Sequence, residues 1–150
     1  MVERDPVAEL RAGLEELVEL VGSLPAESLE RRRAEGWSAR QVLAHLADFE
    51  LIAAVRVRTL LTLDHPVLAR YGQEEFTDRF SGLETAEQAL ERIAVNRRAT
   101  LRVLDALTAE DWARTGTHPV YGEQTLRQAV ENLVRHERGH LEQLREAAGG

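Results

Sequence analysis

Cysteine is absent from the sequence. The chain therefore cannot form a disulfide, a thiolate metal ligand or a cysteine nucleophile, and any thiol chemistry needs a thiol from another molecule. No apolar run approaches the length of about eighteen residues that a transmembrane helix needs, so we expect no membrane partner. Basic residues are fewer than acidic ones, 19 against 26, and the net charge is −7. This balance argues against nucleic-acid binding, which requires a basic surface to neutralise phosphates.

The remaining composition is that of one globular domain. Hydrophobic residues make up 43% of the 150 residues and charged residues 30%, a balance typical of a folded chain that is long enough to bury a core. We therefore expect a single domain over residues 1–150. The first ten residues lack the apolar segment of a signal peptide, which favours a cytoplasmic protein.

Four segments have the apolar periodicity of an amphipathic helix, and none alternates as a strand does. Each begins near a capping residue: Asp5, Ser38, Thr85 and Thr125. In the third segment Thr85 and Gln88 fit a capping box. The pattern predicts an all-α fold with helices over residues 6–22, 38–63, 85–107 and 125–147.

The connections at residues 64–84 and 108–124 are long for neighbouring antiparallel helices, which usually need about two to eight residues. A long second connection can return the chain along the whole bundle. Helices two and three would then run parallel. We therefore predict a four-helix bundle with an up-down-down-up order and a crossover between helices two and three.

Three histidines are candidate metal ligands. His136 and His140 are four residues apart, so both rings project from one face of the fourth helix. This spacing allows both to reach one metal ion at about 2.0–2.1 Å. His45 lies on the apolar face of the second helix, where an unpaired polar group would cost stability. One such histidine is more often a hydrogen-bonded core residue, whereas three that converge favour a metal ion.

The heights of these histidines support the predicted order of the helices. His45 lies about 10 Å from the start of its helix and His140 about 10 Å from the end of its own, at about 1.5 Å per residue. If helices two and four are antiparallel, the rings lie at one level. A simple up-down-up-down bundle would separate them by roughly 9 Å on the same rise.

Two separated motifs resemble the DinB-like (DinB/YfiT) superfamily. The first covers residues 36–50 (GWSARQVLAHLADFE), and the second runs from residues 118–126 (HPVYGEQTL) to residues 136–144 (HERGHLEQL). The resemblance implies a crossover four-helix bundle, often a homodimer. It also implies one divalent metal ion, zinc, nickel or another such as manganese, on His45, His136 and His140. Several relatives transfer thiols such as bacillithiol or mycothiol, or isomerise substrates with thiol assistance.

Residues 136–140 also match the zinc-protease pattern H-E-x-x-H, in which the glutamate is the general base. Few residues follow His140 to supply a third ligand, and no strand is evident to bind a peptide, so this alternative is weak. Glu137 then lies at solvent or beside a neighbouring helix, or acts near the metal. Asp48, one turn from His45, is a candidate fourth ligand, a hydrogen-bond acceptor near the metal or a polar residue on the flank of the bundle.

Two further charged residues have alternative roles. Glu50 is expected to pair with an arginine such as Arg97 on the third helix. Arg56 lies on the same stripe as His45 and would either extend to the surface or meet an anionic substrate. No catalytic residue is assigned from the sequence.

These observations lead to two hypotheses of function. The first is a metal-dependent transferase, or a related enzyme, that uses a low-molecular-weight thiol and acts on a small-molecule substrate. The second is a non-catalytic, metal-binding or stress-related dimer in which the ion braces the bundle. An enzyme needs an open coordination position that faces a pocket, whereas a brace would be closed by a carboxylate such as that of Asp48.

Overall fold

The computed structural model describes residues 4–149 and is mainly helical. Its elements in chain order are α1 (Pro6–Ser23), α2 (Ala26–Glu30), α3 (Ala39–Thr62), α4 (Gln73–Phe80), a 3₁₀ turn (Ser81–Leu83), α5 (Ala86–Leu104), α6 (Ala109–Trp112), β1 (Thr115–His118), β2 (Gly122–Thr125) and α7 (Leu126–Gly149). The four predicted helices are α1, α3, α5 and α7, whose ends differ from the prediction by up to about three residues. Residues 1–3 and 150 of the predicted domain lie outside the described residues.

The N-termini of the long helices follow the capping signals in the sequence. Asp5 accepts a hydrogen bond from the Val7 N–H at 3.1 Å. The predicted capping box of Thr85 and Gln88 is confirmed, and Ser38 forms an equivalent box at the start of α3. Each box satisfies N–H groups that have no partner within the helix, which determines where that helix begins.

Helices α3 and α5 are parallel neighbours. Arg92 contacts Asp48 at 3.1 Å, and Arg97 contacts Glu50 at 2.7 Å. Residue numbers therefore rise together along the two helices. The chain must return along the bundle between them, as the long second connection predicts.

Helix α7 is antiparallel to α3 and parallel to α1. Phe49 stacks on His136, while His45, one turn earlier, approaches His140, one turn later. The ion pairs between α1 and α7 are Glu9–Arg138 and Glu16–Arg145. The predicted up-down-down-up order is thus confirmed.

A small hairpin holds the crossover in place. Strands β1 and β2 pair antiparallel, and Thr117 of β1 also bonds to the crossover. Its N–H donates to the Pro66 carbonyl at 2.8 Å, and its carbonyl accepts from the Leu68 N–H at 2.9 Å. The sequence analysis did not predict this hairpin, because each strand is only four residues long and too short to show clear alternation.

We expect Gly116→Ala to destabilise the protein by about 1–3 kcal/mol, the usual cost of overpacking. A Cβ at this position would lie 2.7 Å from the Pro66 carbonyl oxygen and 2.9 Å from a Leu60 methyl group. Chemical denaturation measures the loss. Gly139→Ala is the control, because its Cβ would meet nothing within 4 Å on an exposed helix face. It should be neutral or stabilise α7 by up to ~1 kcal/mol, and equal effects of the two substitutions would contradict this packing argument.

One buried arginine contacts all four long helices. Arg97 of α5, only 1% exposed, donates to both carboxylate oxygens of Glu50 in α3, at 2.7 and 2.8 Å. It also donates to the Leu10 carbonyl in α1 at 2.8 Å and pairs with Glu137 in α7. Burial alone would lower the pKa of Arg97, but hydrogen bonds and charge from Glu50 and Glu137 raise it. The predicted Glu50–Arg97 ion pair is confirmed.

Apolar side chains form two clusters, one on each side of this polar layer. One contains Leu17, Leu43 and Leu144, and the other contains Leu10, Leu60 and Leu126. Each cluster contains residues from all four long helices, so the apolar faces of these helices point into the bundle. Within the described residues, no helix has the length and apolar character needed to cross a bilayer.

Candidate metal centre

The structure brings the three predicted histidines together between α3 and α7. The Nε2 atom of His45 lies 3.0 Å from Nε2 of His136 and 3.0 Å from Nε2 of His140. One ligand atom from each ring lies within 4.8 Å of the others. Two nitrogens bound to one ion at about 2.0–2.1 Å can be no more than about 4 Å apart. The two separations of 3.0 Å fit this limit.

Aromatic side chains hold the imidazole rings in position. Phe49 stacks on His136 with the ring centroids 3.8 Å apart. Trp37, just before α3, lies 5.1 Å from the His45 ring and 6.4 Å from the His140 ring. This apolar packing fixes the rings and limits the access of water to them.

Hydrogen bonds at the opposite ring nitrogens orient two of the rings. His140 Nδ1 lies 2.7 Å from the Gln143 side-chain oxygen, which accepts a hydrogen bond. His45 Nδ1 lies 2.8 Å from the Tyr71 hydroxyl. Nδ1 of each ring therefore has a hydrogen-bond partner, and an imidazole that binds a metal through Nε2 carries its proton on Nδ1.

This arrangement is what a bound cation requires. The Nε2 atoms of His45 and His140 lie 3.0 Å apart, so both can direct a lone pair to one positive charge held between the rings. His136 directs its own Nε2 to the same point. Its Nδ1 is buried and has no hydrogen-bond partner among residues 4–149. The donor set therefore fits a single divalent ion.

The electrostatic surroundings keep the imidazoles neutral. Burial, followed by the charge of His140, lowers the pKa of His45 to about 3. Burial, followed by the charges of His140 and His45, lowers the pKa of His136 to about 3. Burial also lowers the pKa of His140. Neutral imidazole is the form that binds a metal ion.

Asp48 is not among the residues whose ligand atoms converge. One carboxylate oxygen accepts from Arg92 at 3.1 Å, and Arg92 also pairs with Glu84. The other oxygen is buried and has no partner within the described part of the chain. Burial raises the pKa of Asp48 against the opposing charge of Arg92. No carboxylate thus joins the three ring nitrogens in residues 4–149.

Glu137 lies in the core rather than beside the three ring nitrogens. Its side chain is 5% exposed and pairs with Arg97, against the backbone of Gly13. Of the alternatives from the sequence, the position at solvent is wrong and the one beside a neighbouring helix is confirmed, because Arg97 of α5 draws the carboxylate into the polar layer. A carboxylate held there cannot serve as the general base of a zinc protease.

A cleft of about 490 Å³ reaches His136, one of the three histidines. Phe49, Tyr71 and His136 contribute to its wall. Val120 and Tyr121, which are strongly exposed, lie at its rim, so the cleft opens to solvent. The metal centre therefore has a neighbouring space that can admit a small molecule.

Sequence reasoning missed two residues at this centre. Tyr71 lies in the crossover, where no periodicity places it near His45. Gln143 is three residues from His140 on the same helix, and this spacing is a signal that could have identified it. Trp37, which precedes α3, also packs against two of the rings.

Comparisons with known proteins identify the family of the chain. A candidate metal-dependent hydrolase from Oceanobacillus iheyensis is 28% identical over 109 residues, which are 73% of this chain and 63% of that protein. One from Bacillus cereus is 26% identical over 126 residues, 83% of this chain and 73% of the other.

The fold resembles the solved structure of YfiT from Bacillus subtilis, described as "a probable metal-dependent hydrolase with an unusual four-helix bundle topology". The TM-score is 0.83 over 96% of this chain and 86% of that chain, at 23% identity. The model of the DinB superfamily matches residues 9–144. The chain belongs to the DinB superfamily.

Proposed function

We propose that the protein is a metal-dependent enzyme that activates a small nucleophile against an electrophilic substrate in the cleft. His45, His136 and His140 would hold one divalent ion, zinc or nickel in preference to manganese. The observation that carries this proposal is the cleft of about 490 Å³ beside three ligands that no carboxylate joins within residues 4–149. A bracing ion would need no such cleft.

A divalent ion on three imidazoles keeps open positions and lowers the pKa of a water or thiol that binds there. Residues of the chain supply the surroundings. Phe49 and Trp37 pack against the rings, and Tyr71 and Gln143 orient two of them. The cleft admits the substrate next to His136.

Water and a low-molecular-weight thiol are the two nucleophiles that suit this site. The names of the relatives support water, and hence hydrolysis. The resemblance to thiol-transferring members supports a thiol such as bacillithiol or mycothiol, which must come from solution because the chain has no cysteine. Both reactions use the same site. A homodimer, a cytoplasmic location and a stress-related role stay predictions.

Turnover by the metal-loaded protein tests the proposal. Activated esters would report hydrolysis, and an electrophilic nitroaromatic halide with added thiol would report transfer. We expect at least one reaction to proceed and to fall by more than about 100-fold in His140→Ala, the scale on which losing a key catalytic group acts.

Asp48→Asn distinguishes an enzyme from a braced bundle. The proposed enzyme keeps its metal in this variant, because Asp48 bonds to Arg92 rather than to the ion. A structural metal site in which Asp48 is the fourth ligand would lose much of its metal in this variant. Metal loss in Asp48→Asn, with no turnover by the wild type in either assay, would reject the proposed function.

A further inference from the structure

A second group of side chains lies in the same cleft, beyond the three histidines. Arg56, His118 and Arg135 all line it. Arg56 comes from α3, His118 from the end of β1 and Arg135 from α7. Three different elements therefore bring positive charge and hydrogen-bond donors to one space in a chain whose net charge is −7.

Arg56 is a buried cation without a counter-ion. It is 7% exposed, and none of the ion pairs within residues 4–149 includes it. Its Nε and one Nη atom donate to the Ala69 carbonyl at 3.0 and 2.7 Å, which leaves the other Nη without a bond in the described residues. Arg97, the other buried arginine, has two carboxylate partners. Because a buried charge without a partner is costly, Arg56 is suited to an anion from outside.

His118 is a fixed hydrogen-bond donor next to this arginine. Its Nδ1 accepts from the backbone N–H groups of Val120 and Tyr121 at 3.0 and 3.1 Å. The proton must therefore lie on Nε2. Burial, followed by the charge of Arg56, lowers the pKa of His118, so the ring stays neutral and presents an N–H.

Arg135 supplies a mobile charge at the entrance. Its side chain is exposed, on the helix that carries His136. Within residues 4–149 no carboxylate pairs with it. An arginine of this kind attracts an anion from solution and can reach into the cleft after it, because its long side chain is flexible.

We propose that Arg56, His118 and Arg135 form an anion subsite that binds an oxyanion group of the substrate, a carboxylate or phosphate. Seven residues of α3, about 10 Å at the helical rise, separate Arg56 from Phe49, which stacks on His136. The substrate is then a small molecule with a reacting bond at one end and an anionic group at the other. This inference rests on the proposed function.

Binding of inorganic phosphate and of acetate to the full chain tests the subsite. Amide NMR signals of Val120 and Tyr121, which bond to His118, report occupancy. We expect Arg56→Met to weaken binding of the favoured anion about tenfold or more, and His118→Phe to weaken it several-fold.

Arg98→Met is the control. It removes the same charge from the groove between α1 and α5 and should change anion binding less than about twofold. Arg135→Met gives an independent variant at an exposed position if Arg56→Met does not fold.

The His140→Ala background separates this inference from the proposed function. Anion binding that persists in His140→Ala and is lost on further replacement of Arg56 supports the subsite whether or not the wild type turns over any substrate. Binding that disappears in His140→Ala but persists in Arg56→Met would place the anion on the metal and overturn the subsite. Equal binding by Arg56→Met and Arg98→Met would also overturn it.

Discussion

Replacement of any one of His45, His136 and His140 by alanine is expected to reduce bound metal from about one ion per chain to a small fraction. The three Nε2 atoms lie around one point, so each residue supplies one of the three ligand atoms. Losing a group that only orients a ligand costs about 10–100-fold in metal affinity. Losing a ligand should cost at least the upper end of that range. Mass spectrometry of untagged proteins, purified in parallel, measures the metal content.

His65→Asn is the matched control for this experiment. His65 lies outside the converging group, and its positive φ of 42° is a conformation that asparagine accepts. The variant should therefore keep both its metal and its fold. A chelator should lower the melting temperature of the wild type and of His65→Asn, but not that of the three alanine variants, since a ligand at 1,000 times its Kd stabilises by about 4 kcal/mol. If the wild type neither contains nor takes up zinc, nickel or manganese, the three histidines are core residues and not metal ligands.

The centre itself was predictable because its signals are local or follow from helix geometry. The four-residue spacing of His136 and His140 places both on one face of a helix. The level of His45 depends only on the helical rise and on the directions of the two helices. Those directions followed from the length of the connection between α3 and α5. Each step uses backbone geometry, which varies little from protein to protein.

The surroundings of the centre were not predictable, because they depend on how irregular segments fold back. Tyr71 reaches His45 only because the crossover returns along α3 and bonds to the hairpin. The hairpin strands are four residues long and leave no clear pattern in the sequence. Capping residues mark where a helix begins, but they do not indicate the path of the connection between helices.

Glu137 shows a different limit of sequence reasoning. Its place next to His136 in the H-E-x-x-H pattern suggested a role near the metal, a position at solvent or one beside a neighbouring helix. The structure gives it a partner 40 residues away in the sequence, Arg97, inside the core. A charged residue at a helix position is most often exposed, so only a three-dimensional partner reveals its burial. The same network explains why Gly13 faces it, since a larger residue in α1 would collide with the carboxylate.

Arg97→Met is expected to destabilise the protein by about 3–5 kcal/mol, the usual cost of removing one partner from a buried ion pair. The substitution keeps the volume of the side chain but leaves Glu50 and Glu137 buried with like charges and no cation. It also leaves the Leu10 carbonyl without its donor. Denaturant unfolding measures the change. Arg127→Met is the control, because its pair with Glu131 is partly exposed and should contribute only about 0.3–0.5 kcal/mol.

The triple variant Arg97→Met, Glu50→Gln, Glu137→Gln tests whether charge is the cause. It removes all three buried charges, so it should recover much of the stability that Arg97→Met loses. Burial raises the pKa of Glu50 while Arg97 lowers it, so in Arg97→Met the pKa of Glu50 in the folded state should lie above that in the unfolded state. The deficit is then complete above the folded pKa and shrinks as the pH falls through it. A deficit that is independent of pH, with no recovery in the triple variant, would mean that Arg97 acts through packing alone.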